Sequence, residues 1–219
     1  MKLSPQNNKL EQDVKKEPGG NQLFPVFLKL NHLHTVLIGA GNVGLEKLTA
    51  ILNNSPDAEV TVIALSFLSE IHILAAKHNG VITRQKSFVP SDLDDANIVV
   101  AATNDAGLNT WIKESAHERR LLINVADKPE LCDFYLGSIV QKGDLKIAIS
   151  TNGKSPTVAK RLKEVLNEGL PAEIDTTLQQ MSQLRNSLTG DFREKVKTLN
   201  EITAVLVGEQ GIKDKSSVS

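Results

Sequence analysis

Gly39, Gly41 and Gly44 stand in the spacing G-x-G-x-x-G, and their flanks give that pattern a chemistry. Glycines so placed permit a tight turn, let the backbone approach a pyrophosphate, and let a following helix pack on the preceding strand. Val36 to Ile38 is a short apolar run bounded by glycine and reads as a buried strand. After the turn, Leu45, Leu48, Ile51 and Leu52 recur at helical spacing, so a helix starts near Asn42. The first turn of such a helix presents unpaired N–H groups and a positive dipole end to phosphates. Strand, glycine turn and helix therefore read as a dinucleotide site over Gly39–Gly44, with Leu65, Ser66 and Thr103 lining its adenosine and nicotinamide sides. The acid that usually holds the ribose hydroxyl about 20 residues on is missing. The second strand ends Ala64-Leu65-Ser66-Phe67, Glu70 comes a turn too late, and no arginine stands there. Ser66 and the backbone at Leu65 are left to hold the ribose, and these residues leave NAD and NADP open.

A second group of reactive side chains begins where a later apolar strand ends, in Asn124-Val-Ala-Asp-Lys-Pro-Glu-Leu-Cys-Asp-Phe-Tyr135. The carboxyl edge of an open sheet is where ligands bind, and Asp127 falls there beside Lys128, with Pro129 holding the turn. An aspartate at a strand end also serves as a turn former or cap. Asp133 carries the same alternative and is expected deeper in the region after the sheet. Ser150-Thr-Asn-Gly-Lys-Ser-Pro156 is a polar loop entering a helix; Ser150, Asn152 and Lys154 there could receive an anionic group. Lys160 and Arg161 add charge nearby, as an ordinary solvated helix face also would. His32 and His34 share an extended stretch, but no histidines reach metal-ligand spacing, and Cys132 reads as a buried thiol.

The elements that must position these residues alternate. Strands are expected at Glu59–Leu65, Val81–Arg84, Asn97–Thr103 and Leu121–Ala126, with helices at 67–79 and after an Asn104-Asp105 cap. This order predicts an α/β fold with a parallel, doubly wound sheet over residues 23–126. Leu23–Leu30, which contains Pro25, is expected as an edge strand or an extended arm. Beyond 126, Phe134–Val140 and Asp144–Ser150 flank Gln141-Lys-Gly143 as a hairpin, so residues 127–154 form a hairpin region. Ser155-Pro156 opens a helix, and helical stretches follow at 172–188 and 191–207 within a helical region over 155–207. Residues 1–22 read as a disordered polar leader and 208–219 as a frayed tail. A formal net charge of −1 among 219 residues is no profile for a general nucleic-acid binder. No apolar run reaches membrane-spanning length and no signal-peptide core opens the chain, so the expected setting is cytoplasmic. The single cysteine excludes an internal disulfide.

Four motifs in order carry a resemblance: Ile38-Gly-Ala-Gly-Asn-Val-Gly44, Ala101-Ala-Thr-Asn-Asp105, Asn124-Val-Ala-Asp-Lys-Pro129 with Cys132-Asp-Phe-Tyr135, and Ile149-Ser-Thr-Asn-Gly-Lys-Ser-Pro156. Over about 23–205 the chain resembles the siroheme synthase family, in its precorrin-2 dehydrogenase / sirohydrochlorin ferrochelatase module. The resemblance implies NAD-dependent oxidation of precorrin-2 to sirohydrochlorin, in some members also Fe²⁺ insertion, and a homodimer formed through the region after the Rossmann unit. Asp127 matches the family's catalytic aspartate, and Asn42, Val43, Leu65 and Ser66 match its NAD-contacting positions. Lys128 and Lys154 are then expected to bind the carboxylates of the tetrapyrrole. Gly44-Leu45 and Glu46 depart slightly from the usual residues. No methyltransferase domain is expected to follow. Two rivals are a chelatase-only enzyme and a non-catalytic nucleotide-sensing Rossmann regulator, which would have no use for the Asn124 and Ser150 motifs.

Overall fold

The structure, a computed structural model, describes residues 20–189 and 191–203. The leader expected over 1–22 lies outside the described residues as far as 19, and the tail expected over 208–219 lies wholly outside them. Two compact units divide the chain between Leu136 and Gly137.

The first unit is a five-stranded parallel sheet in the order β3-β2-β1-β4-β5. It is built from β1 (His34–Ile38), β2 (Glu59–Ala64), β3 (Val81–Gln85), β4 (Ile98–Ala101) and β5 (Leu122–Val125), with helices α1 (Asn42–Asn54), α2 (Ser69–Lys77) and α3 (Ala106–Glu118). The chain steps outward from β1 to β3 and then returns to β4 on the other side of β1. Val36 thus pairs with Thr61 on one flank and Val99 on the other. Alternate residues face opposite layers, as the strand period requires. Val36, Ile38, Ile63, Val99 and Ile123 pack with Ile112 and Ala116 of α3. Leu37, Val60, Val62 and Val100 pack with Leu48, Ile51 and Leu52 of α1 and Ile71 of α2. Both faces are covered, which is why these strands read as nearly unbroken apolar runs.

Residues 23–30 form no strand. Pro25 has no N–H for a ladder, Leu30–His32 is a 3-10 turn, and only Leu30 packs against the core; Phe24, Val26 and Phe27 are exposed. His34 instead opens β1 and is fully partnered, its ring nitrogens meeting the Asp95 carbonyl at 3.0 Å and Thr61 Oγ1 at 2.8 Å.

The second unit contains β6 (Ser138–Lys142) paired antiparallel with β7 (Leu145–Ile149), then α4 (Pro156–Gly169), α5 (Ile174–Ser187) and α6 (Phe192–Thr203). The first of these strands starts later than expected because residue 134 is committed elsewhere: its carbonyl accepts from Asn124 Nδ2 at 2.9 Å. The turn also moves. Lys142 pairs with Leu145, leaving Gly143 and Asp144 as the two-residue loop. Gly143 sits at φ +56°, and a Cβ there would run into the carboxylate of Asp175, which accepts the Asp144 N–H at 2.7 Å. Ser155 caps α4 by accepting the Val158 N–H at 3.2 Å, with Pro156 in the first helical position. No helix among the described residues is long and apolar enough to cross a membrane.

Candidate functional site

The carboxyl ends of β1 to β4 open on a cleft of about 530 Å³. Its floor is the glycine turn, and Gly39, Gly41, Asn42 and Val43 line it directly. Gly39 has φ +107°, donates its N–H to the Ile63 carbonyl at 2.9 Å, and has no room for a Cβ, which would meet the Ala102 carbonyl. Gly44 does not line the cleft; it is buried, and a side chain there would meet the Gly39 carbonyl. Gly41 differs from both. It heads α1 with no side-chain cap, and nothing lies within 4 Å of where its Cβ would stand. Open space beside the unpaired amides of a helix's first turn fits a pyrophosphate.

Leu65 and Ser66 line the cleft just beyond β2, both exposed, and no acid joins them among the described residues that line it. Glu70 lies in the first turn of α2 and bonds Ser69. Thr103 lines the cleft too, but its hydroxyl is engaged: it donates to Asn109 Oδ1 at 2.7 Å and accepts the Asp105 N–H at 3.2 Å. Asp105 caps α3 through the Leu108 N–H at 3.0 Å. The Thr103 side chain thus shapes the wall by fixing the start of α3.

Asp127 lies two residues beyond β5, exposed, at φ +57°. It takes no hydrogen bond or ion pair among the described residues, while its neighbours are fixed: Ala126 N–H donates to the Ala101 carbonyl at 2.9 Å and Lys128 N–H to the Val125 carbonyl at 3.3 Å. Aspartate enters the left-handed region more readily than most side chains, as suits a turn after a strand. Lys128, also exposed, precedes the 3-10 turn Pro129–Leu131.

Asp133 belongs to the first unit, contrary to the expectation that it lies in the region beyond the sheet. Its backbone and carboxylate bracket Ile123, and Lys113 and His117 of α3 reach it at 2.7 and 3.1 Å. Burial alone would raise its pKa, but the hydrogen bonds from Lys113, Ile123 and His117 outweigh that and hold it below the usual carboxylate value. It is a clasp between α3 and β5. Cys132 is half-buried, donates to the Val125 carbonyl at 3.1 Å, and burial pushes its thiol pKa up, which suits a structural thiol and no nucleophile.

In the second unit, Ser150, Asn152 and Lys154 occupy a turn with Asn152 at φ +54° and Gly153 at φ +72°. Thr151 and Ser155 lock it, Oγ1 of Thr151 accepting the Ser155 N–H at 3.2 Å. Lys154 is exposed and Asn152 half-buried.

The model of an NAD(P)-binding family matches residues 26–138, more than half of the chain. The chain belongs to this family. A second family model, sirohaem biosynthesis protein central, matches residues 142–168. Siroheme synthase 1 of Pectobacterium atrosepticum is 34% identical over 177 residues, covering 80% of this chain and 34% of that protein. The siroheme synthase of Methylococcus capsulatus is 33% identical over 175 residues, with the same coverage. The chain spans about a third of the length of these curated relatives. A solved structure of SirC, a precorrin-2 dehydrogenase, superposes with a TM-score of 0.68 at 26% identity, over 86% of this chain and 92% of that one. The resemblance to the siroheme synthase family read from the four motifs holds.

Within this NAD(P)-binding frame, sequence reasoning missed one whole wall of the cleft. Lys86, Ser87 and Phe88 line it from beyond β3, and Leu108 and Trp111 from α3. Phe88 and Trp111 meet edge to face, with ring centroids 5.3 Å apart and planes at 81°. No local motif marks this wall: it is the strand order β3-β2-β1-β4-β5 that sets whatever follows β3 beside the carboxyl end of β2.

Proposed function

We propose that the chain is an NAD-dependent precorrin-2 dehydrogenase, oxidising precorrin-2 to sirohydrochlorin in the cytoplasmic synthesis of siroheme. The observation that carries this reading is the side-chain-free cradle at Gly41 in a chain that matches a precorrin-2 dehydrogenase over 92% of that protein. Oxidation removes a hydride and a proton from the tetrapyrrole. A nicotinamide cofactor bound in the cleft would supply the hydride acceptor. The chain's own residues do the rest: the amides at the head of α1 hold the pyrophosphate, Leu65 and Ser66 meet the ribose, and Asp127 takes the proton. Lys128 and the loop of Ser150, Asn152 and Lys154 pair with carboxylates of the substrate, which lets a protein of net charge −1 bind a polyanion. The test is absorbance of precorrin-2 with NAD⁺. Sirohydrochlorin is expected to form only when NAD⁺ is present, and addition of Fe²⁺ reads metal insertion by the same protein. No NAD⁺-dependent product would overturn the dehydrogenase.

The functional form in this proposal is a homodimer joined through the second unit. That unit has almost no core of its own: among its described hydrophobic residues only Val140 and Ala159 are buried. Val158, Leu162 and Val165 meanwhile fall at i, i+4 and i+7 on α4 and are 50%, 44% and 62% exposed. Light scattering is expected to give twice the 23.8 kDa chain mass, and Leu162→Lys to shift it toward the monomer. A wild-type monomer at micromolar concentration would overturn the assembly.

A further inference from the structure

Among the described residues that line the dinucleotide cleft, one is charged. It is Lys86, on the wall beyond β3, and its backbone is held against the end of β2. Its N–H donates to the Ala64 carbonyl at 3.0 Å, and the neighbouring Gln85 Nε2 donates to the Leu65 carbonyl at 3.1 Å. Lys86 is thereby set against the carboxyl end of β2, where a Rossmann unit meets the ribose of its adenosine half. A cation at that position is what a ribose 2′-phosphate requires. Here the cation is already matched. Lys86 Nζ donates to Asp92 Oδ1 at 2.7 Å, and the Asp92 side chain is only 5% exposed, against 39% for Lys86. The second oxygen of Asp92 accepts the Val89 N–H at 2.9 Å, which fixes the carboxylate in the 3-10 turn Pro90–Leu93. Asp92 is not itself among the residues lining the cleft. Among the described residues, the cleft therefore offers the ribose neither an acid for a 2′-hydroxyl nor an uncompensated cation for a 2′-phosphate.

We propose that the Lys86–Asp92 ion pair sets the cofactor preference: the buried Asp92 carboxylate withholds Lys86 from a 2′-phosphate, so the site favours the dinucleotide that lacks one. The proposal rests on the nucleotide reading of the cleft and extends it to a residue pair outside the glycine motif. A charge-assisted hydrogen bond from a released lysine is worth about tenfold or more in affinity. Trp111 is the only tryptophan and lines the same cleft, so its fluorescence reports binding of NADH and NADPH without turnover.

Wild type is expected to bind NADH at least about tenfold more tightly than NADPH. In Asp92→Asn an amide oxygen still serves the Val89 N–H while the negative charge is gone, and the NADPH-to-NADH affinity ratio is expected to rise about tenfold. Lys86→Gln, which leaves Asp92 as an unmatched acid behind the ribose, should move that ratio the other way, and it reads the pair independently should Asp92→Asn fail to fold. Adding Lys86→Gln to Asp92→Asn should abolish the gain. Equal affinities in wild type, or a ratio that stays put in whichever folded single variant is measured, would overturn the ion pair as selector. If wild type binds neither nucleotide, the failure belongs to the cofactor site itself.

Discussion

Asp127→Asn is expected to lower the turnover of precorrin-2 by about 10²- to 10⁴-fold, the range that a positioned acid or base contributes. The substitution is chosen for its backbone as much as for its chemistry. Asp127 sits at φ +57°, and asparagine enters the left-handed region as readily as aspartate, whereas alanine would add a conformational cost to the chemical one. Asparagine keeps the shape and removes the ability to take a proton. Because Asp127 is not among the residues lining the nucleotide cleft, affinity for NAD⁺ is expected to stay within about twofold of wild type. Asp133→Asn is the control. That carboxylate already serves Lys113, His117 and the Ile123 amide, and its pKa is held below the ordinary value. A depressed folded-state pKa gives stability that is present above the unfolded pKa and lost as pH falls through the folded one. The control should therefore lose stability at neutral pH and keep its turnover at low temperature. Measuring kcat and NAD⁺ affinity on the same preparations separates the two acids. Wild-type turnover by Asp127→Asn would leave Asp127 as a turn residue.

The centre of the parallel sheet was legible because β1 and β4 are buried on both faces, so Ile98–Ala101 and Val36–Ile38 read as apolar runs that tolerate no other period. Gly39 and Gly44 were legible because their spacing lies within one short stretch, although the carbonyl that excludes a side chain at Gly39 is that of Ala102, far along the chain. What failed depended on contacts far along the chain. No local signal in Phe134–Gly137 says that the 134 carbonyl is taken by Asn124, or that Asp133 is drawn back to α3 by Lys113. Thr103 lines the cleft just past its strand, yet the direction of its hydroxyl is decided by Asn109, about one turn into the next element. Lys86 carried no motif at all; only the strand order brings it beside Leu65. The second unit was legible as elements and not as a core, since its apolar side chains outnumber the places the described chain offers to bury them.

Gly41→Asp is expected to move stability and affinity in opposite directions. Gly41 is the N-cap of α1, at φ −85° and ψ −164°, an extended conformation open to any residue, and nothing lies within 4 Å of its missing Cβ. The side chain therefore fits the protein without nucleotide. Aspartate is also a preferred N-cap, able to accept one of the amides that α1 leaves uncapped, so the variant should gain a few tenths of a kcal/mol over glycine. The same carboxylate then occupies the space assigned to the pyrophosphate and engages the amides that would bind it. Two unit charges about 4 Å apart, at an effective dielectric of about 20, repel by about 4 kcal/mol, which is about a thousandfold in Kd. Gly41→Ala adds volume without charge and should cost much less, which separates repulsion from crowding. Gly44→Ala serves as the contrast: its Cβ would meet the Gly39 carbonyl, so it should lower the melting temperature before any ligand is added. The measurement is a thermal melt of each protein without nucleotide, followed by titration with NADH read through Trp111. A folded Gly41→Asp protein that binds NADH as wild type does would remove the pyrophosphate from the head of α1, and the glycine turn would then be structural only.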